Sequence, residues 1–168
     1  ESHQKVIDFI ARNFQDNHLA GLLIGKYYRA KELGLELIFD PACFVDRLPT
    51  ALSHNEWISI VGNLLDNAYN ASLQQPQGSK QIECLINSDG HEVIIEVADQ
   101  GCGIDETLRD RIFERGVTSS ASKDHGIGLW LVRSYVEQAG GSIVVENNIP
   151  FGTIFTLYIP LTRDEHHG

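Results

Sequence analysis

The segment "IVGNLLDNAYNAS", residues 60–72, carries its apolar residues at helical spacing. Ile60, Leu64, Leu65, Ala68 and Ala71 make one stripe, the pattern of a helix laid on a core. Asn63 and Asn67 stand four apart, so their amides lie one turn above each other on a single face. Asparagine is a mediocre helix residue because its side chain competes for backbone hydrogen bonds. Two of them beside a core stripe point to a purpose other than helix formation.

Working outward, this helix should begin near Ser53, a candidate N-cap with Glu56 three residues on, and end near Leu73. Upstream, residues 3–33 read as helix, with Gly34 as a stop and Asp16-Asn17 as a place where a new helix can start. "LELIFD" (35–40) reads as a strand closed by Pro41. Downstream, "QIECLIN" and "HEVIIEVAD" flank Ser88-Asp89-Gly90 as a hairpin. The polar stretch 104–124 should be mobile. A helix is expected from Leu129 to Gln138, stopped by Gly140-Gly141, and two strands, "SIVVEN" and "TIFTLYIP", close the chain. Helices with strands grouped in pairs predict an α/β two-layer sandwich, a mixed, largely antiparallel sheet covered on one face by helices.

With 168 residues, 42% of them hydrophobic, the chain can bury one substantial core. Its net charge of −10 repels a polyanion over most of the surface, which argues against nucleic acid as a partner. A phosphate ligand must then be met by backbone N–H groups and a divalent cation. Cys43, Cys84 and Cys102 form no CxxC pair, so neither a disulfide framework nor a zinc site is indicated, and a reducing compartment is expected. No apolar run approaches membrane-spanning length. The start at Glu1-Ser2-His3, with no methionine anywhere, reads as a piece of a longer protein, and residues 163–168 as a tail.

Three further segments look like hardware for a nucleotide. "DQGCGID" places Asp99 at a strand end, with Gly101 and Gly103 allowing close backbone approach to a flat ligand. "KDHGIGLWLV" puts Gly126 and Gly128 just before a helix, where unpaired N–H groups favour phosphate. Gly152-Thr153 opens the last strand. A dinucleotide fold is excluded by context, since neither glycine loop follows a first strand in a βαβ unit with an acidic residue about 20 positions on.

In this order the motifs resemble the ATP-binding (catalytic) domain of sensor histidine kinases, in the superfamily shared with gyrase, the Hsp90 chaperone and the mismatch-repair ATPases, with its Bergerat-type fold. "NLLDNA" is similar to the N box, "DQGCGI" to the first glycine box and "RIFERGVTS" to the F box. "HGIGLWLV" is similar to the second glycine box and "GTIFTLYIP" to the last. The match covers residues 35–161, and the lead-in "LAGLLIGKYYRAKELGLEL" resembles most closely the citrate and C4-dicarboxylate sensor kinases.

The resemblance implies ATP and Mg2+ as ligands, with Asn67 as the magnesium ligand and Asn63 holding phosphates or the ion's waters. It makes Asp99 the acceptor for the adenine amine, a charge-assisted bond worth roughly 1.5–3 kcal/mol. Guanine offers a carbonyl there and should be rejected. Ile104 and Ala71 would line the adenine pocket, Thr153 would close it, and Gly126, Ile127, Gly128 and Leu129 would cradle the phosphates. Lys123 and His125 become lid contacts. Phe113 either packs under the lid or serves as a core aromatic.

Asn63 stands where the ATP-hydrolysing relatives carry a Glu, so a general base for water is missing and transfer to another nucleophile is favoured. The implied acceptor is a His on a separate dimerisation domain, and the phosphate would pass on to a response regulator. No such His motif occurs here. Residues 1–33 would be the end of that helical hairpin and its link, 34–162 the ATP-binding domain. The full-length protein would be a homodimer in a bacterial inner membrane with this part cytoplasmic, touching the membrane only through segments elsewhere. Asn70 replaces a Lys or Arg that commonly reaches the phosphates. A conformational ATPase, a serine-kinase anti-sigma factor and a nucleotide-binding module without transfer activity remain the alternatives.

Overall fold

A computed structural model describes residues 2–114 and 125–161, with side chains for all of these except 2 and 125–127. Two helices open the chain, α1 (Ser2–Asn13) and α2 (Asn17–Glu32), followed by β1 (Glu36–Phe39), α3 (His54–Leu73), β2 (Gln81–Ser88) and β3 (Glu92–Asp99). A 3-10 turn at Arg109–Arg111 precedes α4 (His125–Gln138), β4 (Ser142–Asn147) and β5 (Thr153–Pro160). The break between α1 and α2 falls at Asp16, whose carboxylate accepts the Leu19 N–H at 2.9 Å as an N-cap. Gly34, with φ +75°, lets the chain turn out of α2 where a side chain would be strained.

The five strands form one sheet in the order β1-β2-β3-β5-β4. Only β1 and β2 run parallel, with α3 as the crossover between them, and the other pairs are antiparallel. The expected mixed sheet is therefore present. Alternate residues on one sheet face are buried, among them Ile82, Cys84 and Ile86 on β2 and Phe155, Leu157 and Ile159 on β5. Against that face pack Leu19, Leu23 and Tyr27 of α2, Trp57, Ile60, Leu64 and Leu65 of α3, and Val132 and Val136 of α4. Phe113 is half-buried and packs against this core, its ring standing edge-on to Phe155 with centroids 6.2 Å apart.

One boundary needs correction. The last helix begins at His125, not Leu129, so Gly126 and Gly128 form its first turn instead of preceding it. Glycine is a poor helix former, costing about 1 kcal/mol relative to Ala. Burial of Leu129, Val132 and Val136 on the core offsets that cost.

Candidate functional site

The N-terminal end of α3 is fixed by a complete capping box. Ser53 Oγ accepts the Glu56 N–H at 3.2 Å, and Glu56 Oε1 accepts the Ser53 N–H at 2.9 Å. From this anchored start, Ile60, Leu64, Leu65 and Ala68 turn into the core. Asn63 and Asn67 are left half-buried on the adjoining face. There they line a cavity of about 550 Å³ together with Asp66, Tyr69 and Asn70 of the same helix, Gly128 and Leu129 of α4, and Lys26, Arg29 and Leu33 from α2 and the residue after it.

Local bonds decide which atom Asn63 can offer. Its Nδ2 donates to the Ser59 carbonyl at 2.7 Å and approaches Ser59 Oγ at 3.0 Å. Its oxygen points the other way, toward α4, where a β-carbon placed on Gly128 would stand only 2.7 Å from it. Gly128 is thus the residue that lets the first turn of α4 approach the amide. That first turn carries N–H groups with no partner inside the helix, and the dipole there favours an anion.

Asp99 ends β3 and is buried, with 1% of its surface exposed. Its Oδ1 accepts the Gly101 N–H at 2.8 Å, and the Thr153 N–H also donates to its carboxylate. Burial raises its pKa to about 6, opposed by those two N–H groups. The surrounding backbone is very close. Gly152, at φ +111°, leaves no room for a side chain beside the Asp99 carbonyl, which also accepts from Asn148 Nδ2 at 2.8 Å. A β-carbon on Gly101 would meet the Ala71 carbonyl carbon at 2.3 Å, and the Cys102 N–H donates to the Ala71 oxygen at 3.0 Å. The loop after β3 is therefore sewn to the last turn of α3.

Two groups of expected site residues emerge. Asn63, Asn67, Gly128 and Leu129 share the cavity. Asp99, Gly101 and Thr153 cluster at the strand ends, where a β-carbon on Gly103 would stand 3.9 Å from the Gly152 carbonyl oxygen and Ile104 is half-buried against the core. Asp99 is not among the residues lining that cavity. The link between the groups is Ala71, one helical turn beyond Asn67, roughly 6 Å along the axis. Lys123 lies outside the described residues. Of His125, Gly126 and Ile127 only the backbone is described, in the first turn of α4.

Sequence reasoning missed Lys26 and Arg29. They stand three apart on α2, so they share a helix face, and both reach the cavity from a segment expected to be the end of the helical hairpin and its link. Lys26 Nζ donates to Asp66 Oδ1 at 2.6 Å, and its carbonyl accepts from Tyr69 Oη at 2.8 Å. Their spacing on one helix face was the available signal, though nothing local says which neighbour that face meets.

The family model described as "Histidine kinase-, DNA gyrase B-, and HSP90-like ATPase" matches residues 54–163, from the start of α3 through the last strand. The chain belongs to this family. It is 98% identical over 168 residues to the sensor histidine kinase CitA of Klebsiella pneumoniae, covering 100% of this chain and 31% of that protein. It is 49% identical over 165 residues to the sensor histidine kinase DpiB of Escherichia coli (strain K12), covering 97% and 30%. Among solved structures it resembles full-length ShkA in complex with AMPPNP, at 28% identity and a TM-score of 0.62, over 86% of this chain and 29% of that one. The nucleotide-free catalytic domain of the histidine kinase ThkA superposes with a TM-score of 0.69 at 22% identity, over 90% and 96%, a likeness of fold alone. The chain spans about a third of the length of the curated relatives it matches.

Within the family, this is an ATP-binding domain of the sensor-histidine-kinase type, similar to those of CitA, DpiB and a probable C4-dicarboxylate sensor kinase. Among the described residues no helix is long and apolar enough to cross a membrane.

Proposed function

We propose that this domain binds ATP with Mg2+ and delivers the γ-phosphate to a histidine on a separate dimerisation domain. The observation that carries the reading is the pairing of Asn63 and Asn67 with the N-terminal turn of α4 around one cavity. Amide oxygens suit a hard cation that keeps several waters. Asn67 would hold the ion, and Asn63, with its nitrogen committed to Ser59, can present only its oxygen. Magnesium would supply charge neutralisation on the phosphates.

The chain's own groups do the rest. First-turn N–H groups of α4 meet the phosphates. Lys26 and Arg29 supply cationic side chains that residue 70, an asparagine here, does not. At the other end, the Asp99 carboxylate accepts from the exocyclic amine of adenine, and Ala71, Gly101, Gly103, Ile104 and Thr153 frame the base. Lys123, His125, Gly126 and Ile127 remain assigned to the phosphate side by their place in the sequence. The site holds no carboxylate at position 63 to activate water, so positioning favours an imidazole nucleophile, with ADP leaving.

In this reading residues 1–33 join the ATP-binding domain, 34–162, to the phosphoacceptor hairpin. The whole protein would be a homodimer anchored in the inner membrane by segments elsewhere, with this part on the cytoplasmic side and a response regulator receiving the phosphate. The test is direct. The purified chain should bind Mg-ATP, hydrolyse it negligibly, and phosphorylate a supplied acceptor hairpin. Binding without transfer would favour a nucleotide-sensing module, and rapid hydrolysis a conformational ATPase.

A further inference from the structure

Asp16, His18 and His54 come together on the surface where α2 and α3 begin, away from the nucleotide cavity, whose lining includes none of them. Their ligating atoms all lie within 4.8 Å of one another. The Nδ1 atoms of His18 and His54 are 3.1 Å apart. Asp16 Oδ2 stands 3.5 Å from His54 Nδ1, and Asp16 Oδ1 stands 4.0 Å from His18 Nδ1.

Those separations fit one ion. Zinc bonds of 2.0–2.1 Å to imidazole nitrogen, directed to tetrahedral corners, put neighbouring donors about 3.3 Å apart. The two edges that meet at His54 Nδ1, 3.1 Å to His18 Nδ1 and 3.5 Å to Asp16 Oδ2, bracket that value, and rotation of the two exposed histidines would close the third, since one donor from each residue already lies within 4.8 Å of the others. The third donor is pre-set. Asp16 is 7% exposed in its side chain, and its Oδ1 is held by the Leu19 N–H, the kind of outer hydrogen bond that orients a ligating carboxylate. Two imidazoles and one carboxylate form a donor set that suits Zn2+ better than Mg2+ or Ca2+, which take oxygen. Without metal, the imidazoles can share only one hydrogen bond, an Nδ1–H donating to the other Nδ1.

We propose that Asp16, His18 and His54 form a surface Zn2+ site with one position left to water. The site ties the first turn of α2 to the first turn of α3. Further along, Lys26 already bonds Asp66 and Tyr69. With zinc bound, α2 is fastened at its start and again at Lys26 to the helix that carries Asn63 and Asn67, so metal should stiffen the join between the arm and the ATP-binding domain. Nothing in this inference depends on the nucleotide reading.

The test uses the chain with His166→Ala and His167→Ala, so that those two imidazoles offer no competing site. Calorimetric titration with Zn2+ alone should give one site per chain with micromolar affinity, and the imidazole NMR signals of His18 and His54 should shift together. His18→Ala and His54→Ala should each weaken binding about tenfold or more. Asp16→Asn keeps the helix cap, since Asn caps as well as Asp, and should weaken binding similarly. A melting scan confirms that each variant is folded. Affinity unchanged in any of the three variants, or no saturable binding below about 1 mM, a free energy weaker than roughly −4 kcal/mol, overturns the proposal.

Discussion

The amide oxygen of Asn63 lies 2.7 Å from the point where a β-carbon would stand on Gly128. The two residues are on different helices, and both line the cavity. Asn63 cannot simply swing away, because its nitrogen is bonded to Ser59. Gly128→Ala should therefore push the first turn of α4 back or break the Ser59 bonds. We expect Mg-ATP affinity to fall about tenfold, equivalent to about 1.4 kcal/mol. Calorimetry should detect this with little change in melting temperature, and unchanged affinity would place the phosphates elsewhere.

Asp99 predicts a pH dependence with a definite sign. Its folded pKa of about 6 lies above the ordinary 3.8 because it is buried. Between those values the native state keeps a proton that the unfolded chain has released, so stability falls as pH rises from about 4 to 6, by at most about 3 kcal/mol. Asp99→Asn should flatten that slope in urea unfolding. A slope that persists in the variant would assign it to other groups.

The same carboxylate should couple nucleotide affinity to acidity in the opposite sense. An adenine amine favours the ionised form, so ATP binding should weaken as pH drops below about 6, and GTP should bind poorly throughout. Asp99→Ala should abolish ATP binding in a chain that remains folded. Retained affinity in Asp99→Ala would mean the base lies away from the strand ends.

Lys26 is tested by comparing ligands. Its bond to Asp66 is partly exposed, with 19% and 50% of the two side chains accessible, and such pairs contribute about 1 kcal/mol or less to stability. Lys26→Met should thus melt close to the parent but bind ATP several-fold more weakly, with adenosine affinity unaffected. Equal losses for ATP and adenosine would make Lys26 a structural residue only.

The cap of α3 gives a stability prediction that is independent of ligands. Ser53→Ala removes the acceptor for the Glu56 N–H and should cost about 1 kcal/mol. For a chain of this size that lowers the melting temperature by about 2–4 °C.

What could be read from the chain divides by range. Ser53 and Glu56, the stripe from Ile60 to Ala71 and the hairpin around Asp89-Gly90 are set by neighbours within a few residues, so local rules found them. The start of α4 at His125 was hidden because two glycines there oppose helix locally, while the burial of Leu129 and Val132 that favours it is tertiary. Lys26 and Arg29 look like ordinary solvated positions of an amphipathic helix until α3 is laid beside them. His18 and His54 are no different: their 3.1 Å approach joins residues with no motif between them. Asp99 was conspicuous through its flanking glycines, yet the reason for Gly101, contact with Ala71, arises only in the folded chain.

Asp99 ends the central strand β3, beside Thr153 of β5, and is locked by contacts to Asn148, Gly152 and Thr153. The asparagines and Gly128 sit on two helices that meet only side by side. The affinity of a small planar heterocycle whose amine bonds the Asp99 carboxylate should consequently be almost indifferent to salt. Chemists seeking inhibitors would do well to begin at that static template and grow toward the helices afterwards.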